Sequence, residues 1–415
     1  MNLSKSNQSP SDTSGIFYGY IIVVASLLIM LIMFGTRYAF GVFLKPVLTE
    51  FGWSRAMITG AFSLSMFMEG LLGIVMGGLN DRFGPRKVLT FCGLFFGAGC
   101  LLMAKINSVW QLYLFYGIIM GIGMSGVWVP LLSTVARWFV KRRGMMSGIV
   151  LTGTGLGALI APPAANWLIS RYDWRTSYII IGIIILVVVI ICAQFLRRDP
   201  SLMGQVPDGV NREGEHDLNS VNEGLTFREA VHTKQFFILL VMLFCLGVCM
   251  FTVMVHIVPH ATDLGIPPAS AAKILSVLGG LAVLGRLILG SAADKMGPRQ
   301  IFIIGFILLS VALFSLIPVT GLWMLYLLIA VFGFGQGGMG ASESPLIASV
   351  FGLRSHGVIF GVLGFFLTIG AAIGPFMAGY IFDNAGSYNL AFAFCAVAGI
   401  IGLVCTFLLT PIKGR

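Results

Sequence analysis

The sequence predicts an all-α membrane protein with twelve transmembrane helices in two six-helix pseudo-symmetric halves, and three observations carry that prediction. Of its 415 residues 57% are hydrophobic and only 10% charged, with mean hydropathy +0.95, a composition that no soluble globule with a charged surface has. Apolar runs long enough to cross about 30 Å of hydrocarbon as helices recur at 17–42, 56–79, 87–106, 109–136, 145–170, 174–196, 234–262, 269–293, 299–318, 321–350, 357–381 and 388–411. The chain also repeats itself: GGLNDRFGPR from Gly77 to Arg86 returns as GSAADKMGPR from Gly290 to Arg299, at an offset of 213. The same offset carries Gly148, Gly157 and Pro162 onto Gly361, Gly370 and Pro375 without a gap.

Taken in order, residues 1–16 form a polar tail without a cleavable signal pattern, so the first apolar run is a true span. Residues 17–198 make the N-terminal six-helix half. Residues 199–233, rich in Asp, Glu, Asn, Gly and Ser, have too little apolar content to enter a membrane or build a core and form a linker. Residues 234–415 make the C-terminal half with a short tail. Eighteen Lys and Arg fall on the side that holds both termini and six on the other, so the termini and the linker are expected in the cytoplasm. That bias explains the net charge of +10, and no nucleic-acid partner is inferred from it. All seven cysteines fall within the expected spans as small apolar fillers; Cys245 and Cys249 share a helix face but lack companion metal ligands, and no metal or cofactor is expected. Parallel six-span repeats with a site at their interface near the midplane describe an alternating-access architecture.

Within the eighth span Arg286 stands in a run that is apolar apart from Lys273 near its outer end. A charge near the bilayer centre costs about 2.5–3.5 kcal/mol on insertion scales, and such residues face a bundle interior or a water-filled cavity. Two readings fit: an anchor for an anionic substrate, or a structural arginine held by backbone carbonyls or one buried carboxylate. Candidate proton carriers are Glu69 near the middle of the second span, where an ionised carboxylate is costly, and His256, His260 and Asp263 toward the outer end of the seventh. The latter three equally suit the lining of an aqueous outer mouth, and Pro259 threatens the i,i+4 geometry of the histidines. Arg37 is expected to snorkel to the interface, and Glu343 to belong to an inner gate. Tyr38, Leu151 and Phe365 are the candidate apolar pocket walls, and the Gly-rich fifth and eleventh spans favour close helix contact.

The loop from Gly77 to Lys87 combines glycines for a tight turn with cations near a helix end. An ion pair of Asp81 would have to break when the halves rock, so Asp81, Arg82 and Arg86, with Asp294, Lys295 and Arg299 in the repeat, are gating candidates; the bland alternative is a solvated basic turn. This loop resembles the signature between the second and third spans of the major facilitator superfamily. WFVKRRGMMSG from Trp138 to Gly148 is similar to the monocarboxylate transporter signature, and Tyr18-Gly19-Tyr20 and Tyr38-Ala39-Phe40 resemble stretches of that family's first helix. HIVPHATD from His256 to Asp263 is similar to bacterial relatives grouped with oxalate:formate antiporters. Arg286 matches the substrate-binding arginine of both groups.

Two departures qualify what the resemblance implies. Val42 and Ala282 occupy the places of the lysine and aspartate that support proton coupling in monocarboxylate transporters, and residues 357–381 contain no Lys or Arg to match the second core cation of oxalate transporters. One fixed cation suits a monoanion. The resemblance therefore implies a bacterial inner-membrane carrier, not an enzyme, that moves a small monocarboxylate of the lactate or pyruvate class with a proton. Arg286 would hold the carboxylate, and Asp263 and then Glu69 are the first residues to test for the proton. Its partners would be the monocarboxylate, the proton and the lipid bilayer, with no obligate protein partner and no cofactor. The alternatives are an organic anion exchanger of oxalate/formate type and, in another class, a non-transporting membrane sensor. A multidrug exporter of cations conflicts with Arg286, and an intramembrane enzyme would need a nucleophile–base pair or metal cluster that the spans do not offer.

Overall fold

A computed structural model of the chain describes residues 17–139, 142–203, 205, 224–352 and 355–410. The expected tail 1–16 and most of the linker lie outside the described residues, as does Lys141 of the basic cluster. Among the described residues twelve helices are long and apolar enough to cross a membrane. Spans 1 to 6 are Tyr18–Phe51, Arg55–Phe83, Pro85–Met103, Val109–Val135, Arg143–Arg171 and Trp174–Phe195. Spans 7 to 12 are Lys234–Asp263, Pro268–Met296, Pro298–Leu316, Leu322–Phe351, His356–Ala385 and Asn389–Leu408.

Local chemistry explains the boundaries. The Ser54, Asp173 and Thr233 side chains accept from the backbone N–H groups of Met57, Thr176 and Phe236, each satisfying an orphan donor at a helix start. Gly84 and Gly297, at φ +80° and +92°, make the sharp turns before spans 3 and 9, where Pro85 and Pro298 then open the helix. Span 1 runs nine residues past the expected end at 42, interrupted only at Ala39, because Lys45 and Glu50 end the apolar run but not the helix. Span 4 contains a π-helical stretch, Tyr113–Met120.

The repeat seen in the sequence is also a repeat of packing. Gly157 in span 5 lies against Leu31 and Gly35 of span 1, and Gly370 in span 11 against Phe244 and Val248 of span 7; every partner is displaced by the same 213 residues. Arg86 donates to the Gln194 Oε1 at 2.7 Å, tying span 3 to span 6, while Arg299 donates to the carbonyls of Thr406 and Phe407 at 3.0 and 2.6 Å, tying span 9 to span 12. Each half has its own large apolar core. Between the halves, span 2 packs on span 11, span 5 on span 8, and the second part of span 1 on span 7.

Candidate functional site

The two ends of the bundle are unlike. At the distal face, away from the start of span 1 and the end of span 12, polar ties join the halves. The Arg55 guanidinium reaches Asp263 at 2.8 Å and the Tyr388 hydroxyl at 2.6 Å, and lies over the Phe382 ring at 3.9 Å. The Arg55 and Ala56 backbone N–H groups donate to the two Asp383 carboxylate oxygens at 3.0 and 2.9 Å, and deeper in the bundle the Ser276 hydroxyl donates to the Leu159 carbonyl at 2.7 Å. Toward the terminal face, by contrast, a methyl added at the repeat mates Gly148 and Gly361 would meet open space. The polar ties between the halves thus cluster at the distal face, and spans 5 and 11 are not closely packed at these two glycines.

Arg286 lies within span 8 at its contact with span 5. Its Nη1 donates to the Leu151 carbonyl of span 5 at 2.7 Å, a bond across the two halves, and Tyr38 is within electrostatic reach. Among the described residues no acid pairs with it. Gly155 lets spans 5 and 8 approach beside it, since a methyl there would run into the Val283 side chain, and Tyr38 lines a small cavity with Met250, Phe251, Met254, Leu278 and Gln336. Three of the expected site residues, Arg286, Leu151 and Tyr38, are thus brought together, with Leu151 contributing its carbonyl. Phe365 is placed elsewhere, against Phe67 and Gly70 of span 2.

Arg37 does not snorkel. Its guanidinium pairs with Glu69, and it is buried to 5% side-chain exposure against 14% for Glu69, because the charge finds a partner and the Phe34 ring, 4.8 Å away, inside the N-terminal half. The histidines do share a helix face, since span 7 continues through Pro259 to Asp263. His256 is fully buried: its Nε2 donates to the Pro375 carbonyl at 2.8 Å, which leaves Nδ1 to accept from Tyr388 at 2.9 Å. His260 is packed between the Tyr388 and Phe392 rings and borders, with Asp263, a recess of about 380 Å³ at the distal face. Asp263 is the acid of the Arg55 tie.

Of the gating candidates, Arg86 and Arg299 make the ties within each half already described. Arg82 and Lys295 are exposed, the former with its cation 5.3 Å from the Phe83 ring. The side chains of Asp81 and Asp294 lie outside the described ones. The distal lock was not legible in the sequence beforehand: Arg55, Asp383 and Tyr388 are ordinary loop-flanking residues until spans 2, 7, 11 and 12 meet. Arg37 and Glu69 carried a fainter signal, opposite charges at interior positions of consecutive spans.

The sequence model of the Major Facilitator Superfamily matches residues 26–292 and 258–415. Monocarboxylate transporter 13 of Bos taurus is 27% identical over 380 residues, covering 90% of this chain and 85% of that protein. Monocarboxylate transporter 7 of Homo sapiens is 26% identical, covering 95% and 87%. Among solved structures, a bacterial homologue of the human lysosomal transporter Spinster, in an inward-facing and occupied conformation, matches with TM-score 0.76 at 17% identity over 95% of this chain and 97% of that one. That likeness shows the shared fold.

Proposed function

The chain belongs to the major facilitator superfamily, a family of transporters and not enzymes, and on that premise we propose that it carries small monocarboxylates of the lactate or pyruvate class together with a proton. The observation that carries the reading is Arg286: a mid-span cation where spans 5 and 8 meet, with no acid to neutralise it among the described residues and one neutral carbonyl as its bonded partner. One carbonyl engages one of the five donors of a guanidinium. A carboxylate makes shorter, charge-assisted and bidentate bonds and displaces such a carbonyl. The relatives named as monocarboxylate transporters support the same substrate class.

The excess of basic residues on the terminal side supports placing that face in the cytoplasm, in which case the distal lock closes the outside and a cleft between the halves opens inward. A negative membrane interior opposes entry of a monoanion by about 2.3 kcal/mol per 100 mV, and one accompanying proton removes that opposition. Alternating access then consists of breaking the Arg55 ties while closing the terminal end.

The test is lactate-induced thermal stabilisation of purified variants, because a ligand that binds the folded state raises its apparent stability. Arg286→Ala should abolish the lactate shift. Arg286→Lys, which keeps the charge but loses the planar fork, should weaken it. A well-folded Arg286→Ala protein stabilised by lactate to the wild-type extent makes the arginine structural and overturns the assignment. Uptake of labelled lactate into proteoliposomes separates a carrier from a sensor.

A further inference from the structure

We propose that the Arg37–Glu69 pair is the carrier's proton-binding site, with Glu69 taking the co-transported proton while Arg37 keeps its charge. The inference rests on the symport reading and names the residue that performs it.

A coupling site has to be reached by protons from each face in turn. Glu69 meets that requirement by position: in the helix Arg55–Phe83 it lies fourteen residues from either end, about 21 Å at 1.5 Å per residue. It borders the contact between the halves, since the next residue, Gly70, lies against Phe365 and Thr368 of span 11. Its carboxylate is the more exposed member of the pair, 14% against 5% for Arg37. The groups around it are few. Span 1 presents Arg37, the π-helical stretch of span 4 brings the Tyr116 hydroxyl within electrostatic reach, and the uncharged Phe365 and Thr368 of span 11 lie against the neighbouring Gly70.

Asp263 and His256 fail the same requirement. Asp263 ends its helix at the distal face and is bonded to Arg55, on the shut side of the cleft. His256 is sealed from water with both ring nitrogens engaged.

Charge explains why proton and anion travel together. In the empty carrier Arg37 and Glu69 cancel, leaving the single charge of Arg286. When water in the cleft delivers a proton to a Glu69 oxygen, an O–H bond forms, the carboxylate loses its charge and Arg37 stands uncompensated. A bound monocarboxylate then restores the original net charge. The loaded and empty carriers therefore rock with equal charge, whereas a proton alone adds one positive charge and an anion alone removes one. In a low-dielectric cleft the protonated carrier, with Arg37 and Arg286 both uncompensated, attracts the anion more strongly than the unprotonated one does, and by reciprocity proton and anion favour each other's binding. After rocking, the proton leaves Glu69 for water on the other side and the pair closes again.

Lactate affinity of the purified protein, measured as a function of pH, decides the matter. In the wild type the dissociation constant should fall as pH falls, by up to about tenfold per pH unit where one proton is linked to one anion, and lactate addition should draw protons from a weakly buffered solution. Glu69→Gln should bind lactate with no pH slope and no proton uptake. Since that variant leaves Arg37 unpaired, the double variant Arg37→Gln/Glu69→Gln, which has no buried charge, serves if the single one does not fold; it too should lose the slope. Asp263→Asn should keep it. A wild-type slope that survives in either Glu69 variant overturns this assignment while leaving the symport reading intact. A flat wild-type slope overturns the symport reading and this assignment with it.

Discussion

Replacing Arg55 with alanine should unlock the distal face. The substitution removes two charge-assisted bonds, to Asp263 at 2.8 Å and to the Tyr388 hydroxyl at 2.6 Å, and a cation 3.9 Å over the Phe382 ring. All three partners belong to the C-terminal half, so all three contacts act between the halves. Bonds to charged groups are worth about 1.5–3 kcal/mol each and a cation–π contact about 0.5–2 kcal/mol. The 28% exposure of the Asp263 side chain and the hydration these groups regain on opening reduce the sum, leaving a net of about 3 kcal/mol. At 1.4 kcal/mol per tenfold that is roughly a hundredfold in the ratio of distal-open to distal-closed carriers. The backbone bonds to Asp383 persist in the variant and keep part of the lock. Spin labels on cysteines placed at Met57 and Asn384, which flank the lock on spans 2 and 11 and are exposed, report the gap by pulsed distance measurement. Six of the seven native cysteines are buried and Cys405 is half-buried, so they label little. An open-to-closed ratio that changes by less than about threefold refutes the assignment of these contacts as the lock.

Two further outcomes are expected. Pyruvate should inhibit uptake of labelled lactate while oxalate inhibits poorly, because the buried cations Arg37 and Arg55 are paired with Glu69 and Asp263 and leave Arg286 without a second one for a dianion; stronger inhibition by oxalate than by pyruvate reverses that ranking. Asp173 caps the start of span 6, and the N–H and hydroxyl of Thr176 hold its carboxyl below the usual aspartate range. A lowered value in the folded state means stability present above the unfolded value and lost as pH falls through the folded one. Asp173→Ala should therefore cost about 1 kcal/mol near neutral pH, a deficit that shrinks on acidification when thermal unfolding is compared across pH.

Much of the fold was legible because membrane insertion writes itself into composition. Twelve apolar runs, a polar stretch between the sixth and seventh, and an offset of 213 residues suffice to place twelve helices and pair them as repeats. The helix ends were less legible. Lys45 and Glu50 stop the apolar count of span 1, yet backbone hydrogen bonding continues the helix to Phe51 regardless. At the site, Arg286 announces itself through its cost in hydrocarbon, and its neighbour Leu151 follows from the nearness of spans 5 and 8. The partners of Arg37, Asp263 and His256 do not follow in this way. Each lies 32, 208 and 132 residues from the group it bonds, Glu69, Arg55 and Tyr388, and periodicity carries no information about which face of one helix meets which face of another. An isolated reading sends Arg37 to the interface and the histidines to an aqueous mouth; packing instead gives Arg37 and His256 buried partners, while His260 borders the distal recess.

The glycines of span 5 divide into two sets with different mechanical consequences. Gly153 and Gly157 face span 1, and their backbones lie against the carbonyls of Leu27 and Leu31, just as Gly247 and Gly370 join spans 7 and 11 in the other half. Gly155, one step round the helix, faces span 8, where a methyl at Gly279 would stand 2.6 Å from its carbonyl oxygen. Helices that meet through side chains interlock as ridges in grooves and resist rotation. Where two glycines meet there are no ridges, so at Gly155 and Gly279 spans 5 and 8 touch backbone to backbone. The halves are stiff where the glycines clamp each one internally, and between them the same residue type makes a low-toothed bearing, about which one rigid block can turn against the other once the Ser276 and Arg286 bonds to span 5 yield.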